Sequence, residues 1–179
     1  RFDHYGIASK KNLPRPGSHI HLIAVCGVGM ASLAGLVQSR GYRVTGSDQN
    51  VYPPMSTYLQ GIGIPILSGY SEDHLNPRPD LVVIGNAISR NNPEAAAVLA
   101  QGVPYISFPQ ALGLFLIRSR TSLVIAGTHG KTTTSALAAW VLTRAGLDPG
   151  FFMGGVPLNF TRGWNPATGD YVVLEADEY

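Results

Sequence analysis

The sequence predicts an α/β protein: a Rossmann-like N-terminal domain followed by the start of a second, P-loop-type domain. Three observations carry this. Short apolar runs alternate with helical patterns from His19 onward, as βαβ units require. Two of those runs, ending at Cys26 and Ala126, each lead through a glycine turn into a helix. The stretch Leu81-Val82-Val83-Ile84 is unbroken in its apolar character, as in a strand covered on both faces.

Each element follows from local chemistry. Residues 1–18, with Pro14, Pro16 and Gly17, read as an extended N-terminal segment. A first strand is predicted over His19 to Cys26, then a helix over Met30 to Arg40 closed by Gly41. Tyr42 to Gly46 is a second short strand, Pro53 to Gln60 a helix stopped by Gly61, and Pro65-Ile66-Leu67 a third apolar segment. After Leu81–Ile84 comes a helix from Pro93 to Gln101, with Asn92 as its cap and Pro93 at its first position. Val103 to Ser107 is a strand and Pro109 to Ile117 a helix. The domain boundary falls between Phe108 and Thr121, giving a Rossmann-like domain over 19–108, a linker helix over 109–120 and the first part of the second domain over 121–179. In that part a strand begins at Leu123, Ser135 to Ala145 is an Ala-rich helix, and Tyr171 to Leu174 is a strand tipped with acids. The connection from Gly150 to Asp170 has no clear periodicity and is expected to be irregular and mobile.

Composition narrows the function classes. With 45% apolar and 13% charged residues over 179 positions, the chain can bury a sizeable core. The net charge of +2, with no basic cluster beyond Lys10-Lys11, gives no electrostatic case for nucleic acid. No apolar run approaches the ~20 residues of a membrane span, and no secretory signal pattern precedes the first strand. The single cysteine, Cys26, suits a reducing cytoplasm, where the protein is expected. The chain starts at Arg1 and stops just after a strand delivers Glu175, Asp177 and Glu178, so it reads as a fragment of a longer protein.

The stretch Ala126-Gly127-Thr128-His129-Gly130-Lys131-Thr132-Thr133-Thr134 carries the most chemistry. Strand, glycine loop, Lys-Thr and helix is the layout of a loop that cradles phosphates. Glycines let backbone N–H groups approach phosphate oxygens, Lys131 reaches the terminal phosphates, and the Thr132 hydroxyl suits Mg²⁺. The first glycine sits at Gly127, two residues later than the general pattern places it. A plain helix cap would need only one of the threonines. ATP with Mg²⁺ is the expected ligand pair, held by Gly127, Thr128, His129, Gly130, Lys131, Thr132 and Thr133, with His129 shaping the loop rather than acting as a base.

The other turn, Cys26-Gly27-Val28-Gly29-Met30-Ala31-Ser32, nearly matches G-x-G-x-x-G, with Ser32 at the third glycine. Asp48 lies where a dinucleotide fold places its ribose-binding acid. Free N–H groups at the helix start favour a diphosphate, and the glycines alone leave open whether it belongs to NAD. The bland alternative is a tight βα turn in which Asp48 caps a loop. Asn86 and Ser89, beyond the end of the Leu81–Ile84 strand, lie where open α/β sheets bind ligands.

Together these motifs resemble the Mur ligase family. Thr45-Gly46-Ser47-Asp48, Gly85-Asn86-Ala87-Ile88, Asn92-Pro93-Glu94 and Glu175-Ala176-Asp177-Glu178 match its pattern, from about His19 to Tyr179. The resemblance implies an ATP-dependent, amide-forming enzyme acting on UDP-N-acetylmuramate through an acyl phosphate. Residues 19–108 would then bind the UDP substrate, through Gly27, Val28, Gly29, Met30, Asp48, Asn86 and Ser89, and 121–179 would begin a truncated ATP-binding central domain. Lys131 would neutralise the β- and γ-phosphates, and Thr132 and Glu175 would hold Mg²⁺, with Asp177 and Glu178 orienting neighbours. The stretches Asn50 to Thr57 and Gly154-Gly155-Val156-Pro157 with Asn159-Phe160, and Tyr179, favour a member whose acceptor is the murein tripeptide L-alanyl-γ-D-glutamyl-meso-diaminopimelate over one that adds L-alanine. The competing readings are a non-catalytic UDP-sugar-binding module and an NAD-dependent oxidoreductase.

Several side chains have plain expectations. Cys26 ends a buried strand and packs; His19 and His21 alternate along the first strand without a metal-site pattern; Met30 tucks under the first loop; Trp140 faces the core.

Overall fold

The computed structural model describes residues 13–166 and 168–176, and Asp177, Glu178, Tyr179 and the first part of the N-terminal segment lie outside them. The chain divides into two compact units between Leu112 and Gly113. The first is an α/β unit with five parallel strands in the order β3-β2-β1-β4-β5, where β1 is His19–Ile23, β2 Arg43–Asp48, β3 Ile66–Ser68, β4 Leu81–Ile84 and β5 Tyr105–Ser107. Helices α1 (Val28–Ser39), α2 (Met55–Gly61), α3 (Pro93–Ala100) and α4 (Phe108–Leu112) connect or follow them. The chain leaves β1 toward β2 and β3, then returns to β4 on the other side. This reversal opens a crevice beyond the carboxyl ends of β1 and β4.

The reasons for these elements are local. All residues of β1 and of β4 are buried, as the unbroken apolar run foretold for β4. α1 buries Met30, Ala31, Leu33, Ala34, Leu36 and Val37, a wide apolar face that small residues bring close to the sheet. α3 starts as read: the Asn92 side chain accepts from Glu94 N and Ala95 N, and Pro93 opens the helix.

Some boundaries differ. β1 stops at Ile23 because Ala24 turns the chain at φ 69°, and the N–H groups of Ala24 and Val25 both donate to Ser47 O. Cys26 therefore lies in the turn and is only partly buried, not packed at a strand end. β2 runs on to Asp48, and β5 begins after Pro104, which has no N–H for the ladder. The expected single helix from Pro109 is α4 followed by a π-helical stretch, Gly113–Ile117.

The second unit holds the strand order β6-β9-β7-β8, with β6 Thr121–Ile125, β7 Gly150–Phe152, β8 Trp164–Asn165 and β9 Tyr171–Glu175. β6, β9 and β7 are parallel, and β8 runs antiparallel to β7. Helix α5, Lys131–Arg144, packs beside them around Ala139, Phe151, Met153 and Val173. The connection expected to be irregular thus contributes two strands. Two- and three-residue strands leave no readable period, yet Phe151, Phe152 and Met153 are buried. α5 also starts four residues earlier than propensity suggested, because the glycine loop caps it. Trp140 is only partly buried, its ring edge-on to Phe160 and under the Arg144 guanidinium, rather than in the core. No helix among the described residues is long and apolar enough to cross a membrane.

Candidate functional site

In the first unit, a cavity of about 620 Å³ opens at the topological reversal of the sheet. Its walls are the segments that follow β1 to β4: Ala24, Cys26, Gly27 and Met30 after β1, Asp48 to Asn50 and Tyr52 after β2, Tyr70 after β3, and Gly85 to Ser89 with Asn91 and Asn92 after β4. The structure therefore brings together Gly27, Met30, Asp48, Asn86 and Ser89. It leaves Val28 and Gly29 outside the lining, and a side chain on Gly29 would press on the Phe108 ring at 3.2 Å. Met30 is buried beneath the turn, as expected.

Asp48 is already engaged. Its Oδ2 accepts from Cys26 N at 2.9 Å and its Oδ1 from Asn50 N at 2.8 Å. These bonds fix the glycine turn, and each oxygen keeps a lone pair at a residue that lines the cavity. Burial, then the Asp48 carboxylate, pushes the Cys26 thiol up, so it faces the cavity protonated and unreactive. The same two causes raise the Tyr70 phenol.

Behind this cavity lies a polar cluster that the sequence reading missed. Glu94 is fully buried; its Oε1 accepts from His21 Nε2 at 2.6 Å and Ser47 Oγ at 2.9 Å, and its Oε2 meets His74 Nδ1 at 3.1 Å. Burial would raise this carboxyl, but the bonds and charge of His21 and the bonds from Ser47 and His74 outweigh it and hold Glu94 below the usual carboxylate range. His21 Nδ1 and His19 Nε2 both meet Thr45 Oγ1, at 2.7 and 2.8 Å. The histidines of β1 thus sit in a hydrogen-bond network. Tyr70 was also missed, although the rule that ligands lie beyond strand ends points to the residues just after β3.

In the second unit, a cavity of about 390 Å³ is lined by Thr128, His129, Gly130, Lys131, Thr132, Thr133 and Glu175. Gly127 (φ 151°) and Gly130 (φ 76°) adopt backbone conformations that side chains disfavour, and Gly130 is the cap of α5. Gly127 lies outside the lining: its carbonyl accepts from Lys131 Nζ at 2.8 Å. His129 Nδ1 meets Thr128 Oγ1 at 3.3 Å, a contact within the loop that fits a shaping role.

Pairing sets the opposing acid. β9 runs beside β6 with Glu175 in register with Ile125, the last residue before the loop. Thr132 Oγ1 consequently donates to Glu175 Oε1 at 2.6 Å, and Gly154 N donates to Oε2 at 3.1 Å. A hydroxyl that donates its hydrogen bond to a carboxylate keeps its lone pairs for a hard cation. The donor set is all oxygen, which fits Mg²⁺. Lys131, Thr132 and Glu175 thus line one cavity.

The chain is also similar to known proteins. The profile described as "Mur ligase family, catalytic domain" matches residues 19–120. The chain is 51% identical over 160 residues to the UDP-N-acetylmuramate–L-alanyl-γ-D-glutamyl-meso-2,6-diaminoheptandioate ligase of Escherichia coli, covering 89% of this chain and 35% of that protein. It is 43% identical to the UDP-N-acetylmuramate–L-alanine ligase of Neisseria gonorrhoeae, covering 90% of this chain and 34% of that one. The crystal structure of a murein peptide ligase from Psychrobacter arcticus superimposes with a TM-score of 0.85 at 45% identity, over 91% of this chain and 38% of that chain. The chain thus spans about a third of the length of these relatives.

Proposed function

The chain belongs to the Mur ligase family, and on that premise we propose that it supplies the UDP-sugar pocket and the phosphate loop of an ATP-dependent ligase. The reaction joins UDP-N-acetylmuramate to L-alanyl-γ-D-glutamyl-meso-diaminopimelate, in cytoplasmic recycling of peptidoglycan. Support for this acceptor is the 51% identity to the E. coli tripeptide ligase, against 43% to the N. gonorrhoeae L-alanine ligase.

A carboxylate and an amine do not condense unaided in water, so ATP provides the leaving group. The muramate carboxylate takes the γ-phosphoryl group, giving an acyl phosphate and ADP. The peptide amine then attacks the acyl carbon, the amide forms, and inorganic phosphate departs. Mg²⁺, held by Thr132 with Glu175 behind it, would offset the negative charge of the two reactants. The residues' own tasks are positional and electrostatic. Lys131 exchanges the Gly127 carbonyl for phosphate oxygens. Glu175 orients the Thr132 hydroxyl by accepting its hydrogen bond. The first cavity holds the UDP-sugar, with Asp48 keeping the glycine turn in shape.

The observation that carries this reading is the 2.6 Å bond from Thr132 Oγ1 to Glu175 Oε1 on the strand beside the phosphate loop. Phosphate release by the intact protein tests it, with ATP, UDP-N-acetylmuramate and either the tripeptide or L-alanine. Release that depends on the tripeptide is expected. Release with L-alanine alone, or none with either acceptor, refutes the assignment.

A further inference from the structure

The Glu94 cluster is larger than a helix start requires. Asn92 already caps α3, and a Glu in a first turn ordinarily faces solvent. Instead the carboxylate is completely buried and accepts hydrogen bonds from β1, β2 and the 3₁₀ turn at Glu72–Leu75. Burying a carboxylate is costly, and well-packed apolar residues often stabilise a fold equally well. Something other than bulk stability must be served by the arrangement.

Its partners lead into the walls of the first cavity. Ser47, bonded to Glu94 through Oγ, uses its carbonyl to hold Ala24 N at 2.9 Å and Val25 N at 3.0 Å, the start of the glycine turn. The next residue, Asp48, holds Cys26 N. On the other side, Glu94 follows Asn91 and Asn92, which line the cavity after β4. One carboxylate thus ties together the walls built by the ends of β1, β2 and β4. One assignment of protons runs along the adjoining chain: His19 Nε2–H donates to Thr45 Oγ1, Thr45 Oγ1–H to His21 Nδ1, and His21 Nε2–H to Glu94, with His19 Nδ1 buried and unpartnered at its far end. Around Glu94 itself the partners are complete, which fixes the carboxylate in place.

We propose that Glu94, acting through Ser47, is a positioning residue that sets the geometry of the UDP-sugar pocket. It touches no ligand itself. The inference rests on the reading of that pocket given above.

Steady-state kinetics of the intact protein with Glu94→Gln, Ser47→Ala and the double variant test it, after calorimetry of UDP-N-acetylmuramate on the wild type. Glutamine keeps the shape but exchanges one acceptor oxygen for an NH₂ donor, so it cannot accept from all three partners. KM for UDP-N-acetylmuramate should rise about tenfold in Glu94→Gln, the loss of one charge-assisted hydrogen bond. Ser47→Ala should raise it less, and the double variant no more than Glu94→Gln alone, because both changes break one path. KM for ATP and kcat should stay at wild-type values. Where Glu94→Gln fails to fold, Ser47→Ala carries the test. Unchanged KM, additive effects, or a common loss in kcat and both KM values overturns the inference. A wild type that binds no UDP-N-acetylmuramate overturns the pocket assignment itself, and this inference with it; a binding wild type with unaffected variants overturns this inference alone.

Discussion

Acidification should destabilise the first unit at a pH where ordinary carboxylates are still ionised. His19 is buried at the start of β1, and its pKa falls from 6.5 to about 4, chiefly through burial, then through the charges of Arg43 and His21, with Asp80 opposing. The unfolded chain therefore binds a proton that the folded unit refuses between those two values. By linkage, stability is complete above pH 6.5 and is lost as the pH falls toward 4. At ~1.36 kcal/mol for each pH unit in that window, the loss is about 2 kcal/mol at pH 5 and about 3 kcal/mol at pH 4. Glu94, held below the normal range, adds its own loss only below its unfolded value of 4.5. The interval from 6.5 to 5 therefore separates the His19 contribution from that of Glu94. Both tryptophans, Trp140 and Trp164, lie in the second unit, so fluorescence would report on the wrong one. Urea titrations read by hydrogen exchange on peptides from the first unit avoid this. A drop of 2 kcal/mol lowers a urea midpoint by about 1–2 M. His19→Gln, with nothing to titrate, should flatten the dependence above pH 5. A wild-type midpoint constant from pH 7 to 5, or an equal slope in the variant, would refute the argument.

Three further outcomes are expected. Lys131→Ala in the intact protein should abolish ATP turnover while UDP-sugar binding persists, since the two glycine loops lie in separate compact units; turnover at the wild-type rate would remove Lys131 from the phosphate site. Glu175→Gln should raise the Mg²⁺ concentration for half-maximal turnover about tenfold, because the amide is a weaker acceptor for Thr132 Oγ1; an unchanged Mg²⁺ requirement would show that the carboxylate is not part of the cation site. Calorimetry should detect UDP-N-acetylmuramate and not NAD at the first cavity, and the reverse result would return the Gly27–Ser32 turn to a dinucleotide.

The sequence made the larger architecture legible where its signals were long or chemically specific. Leu81–Ile84 announced a strand covered on both faces, and Asn92-Pro93 announced the start of α3. The phosphate loop was readable because Gly127, Gly130, Lys131 and Thr132 are contiguous. The position of Glu175 beside the loop was readable because an acid-tipped strand follows such a loop. β7 and β8 were invisible because two or three residues cannot display a period. The early end of β1 depends on Ala24 adopting a left-handed conformation, which nothing in alanine foretells. Glu94 escaped for a different reason. Its partners His21 and Ser47 are 73 and 47 residues away, and only the parallel pairing of β1 with β2 brings them to one face.

The two glycine turns look alike in sequence, but their surroundings differ, and the proposed function gives them different tasks. In the first, the nearby acid braces its own chain: Asp48 takes two backbone N–H groups, and among the described residues no lysine lines the cavity beside it. Such a pocket can recognise a ligand through fixed walls, but it offers no movable charge to follow a reaction. In the second, Lys131 and Glu175 both face the cavity, and each is held by contacts that a ligand can replace or share: a backbone carbonyl for the lysine, a hydroxyl and one N–H for the carboxylate. These are the groups that phosphoryl transfer needs, because charge shifts between oxygens as the bond breaks. Holding a substrate calls for the rigidity of the first turn, and moving a phosphoryl group calls for the responsive charges of the second. An enzyme that must activate a carboxylate before joining it to an amine requires both.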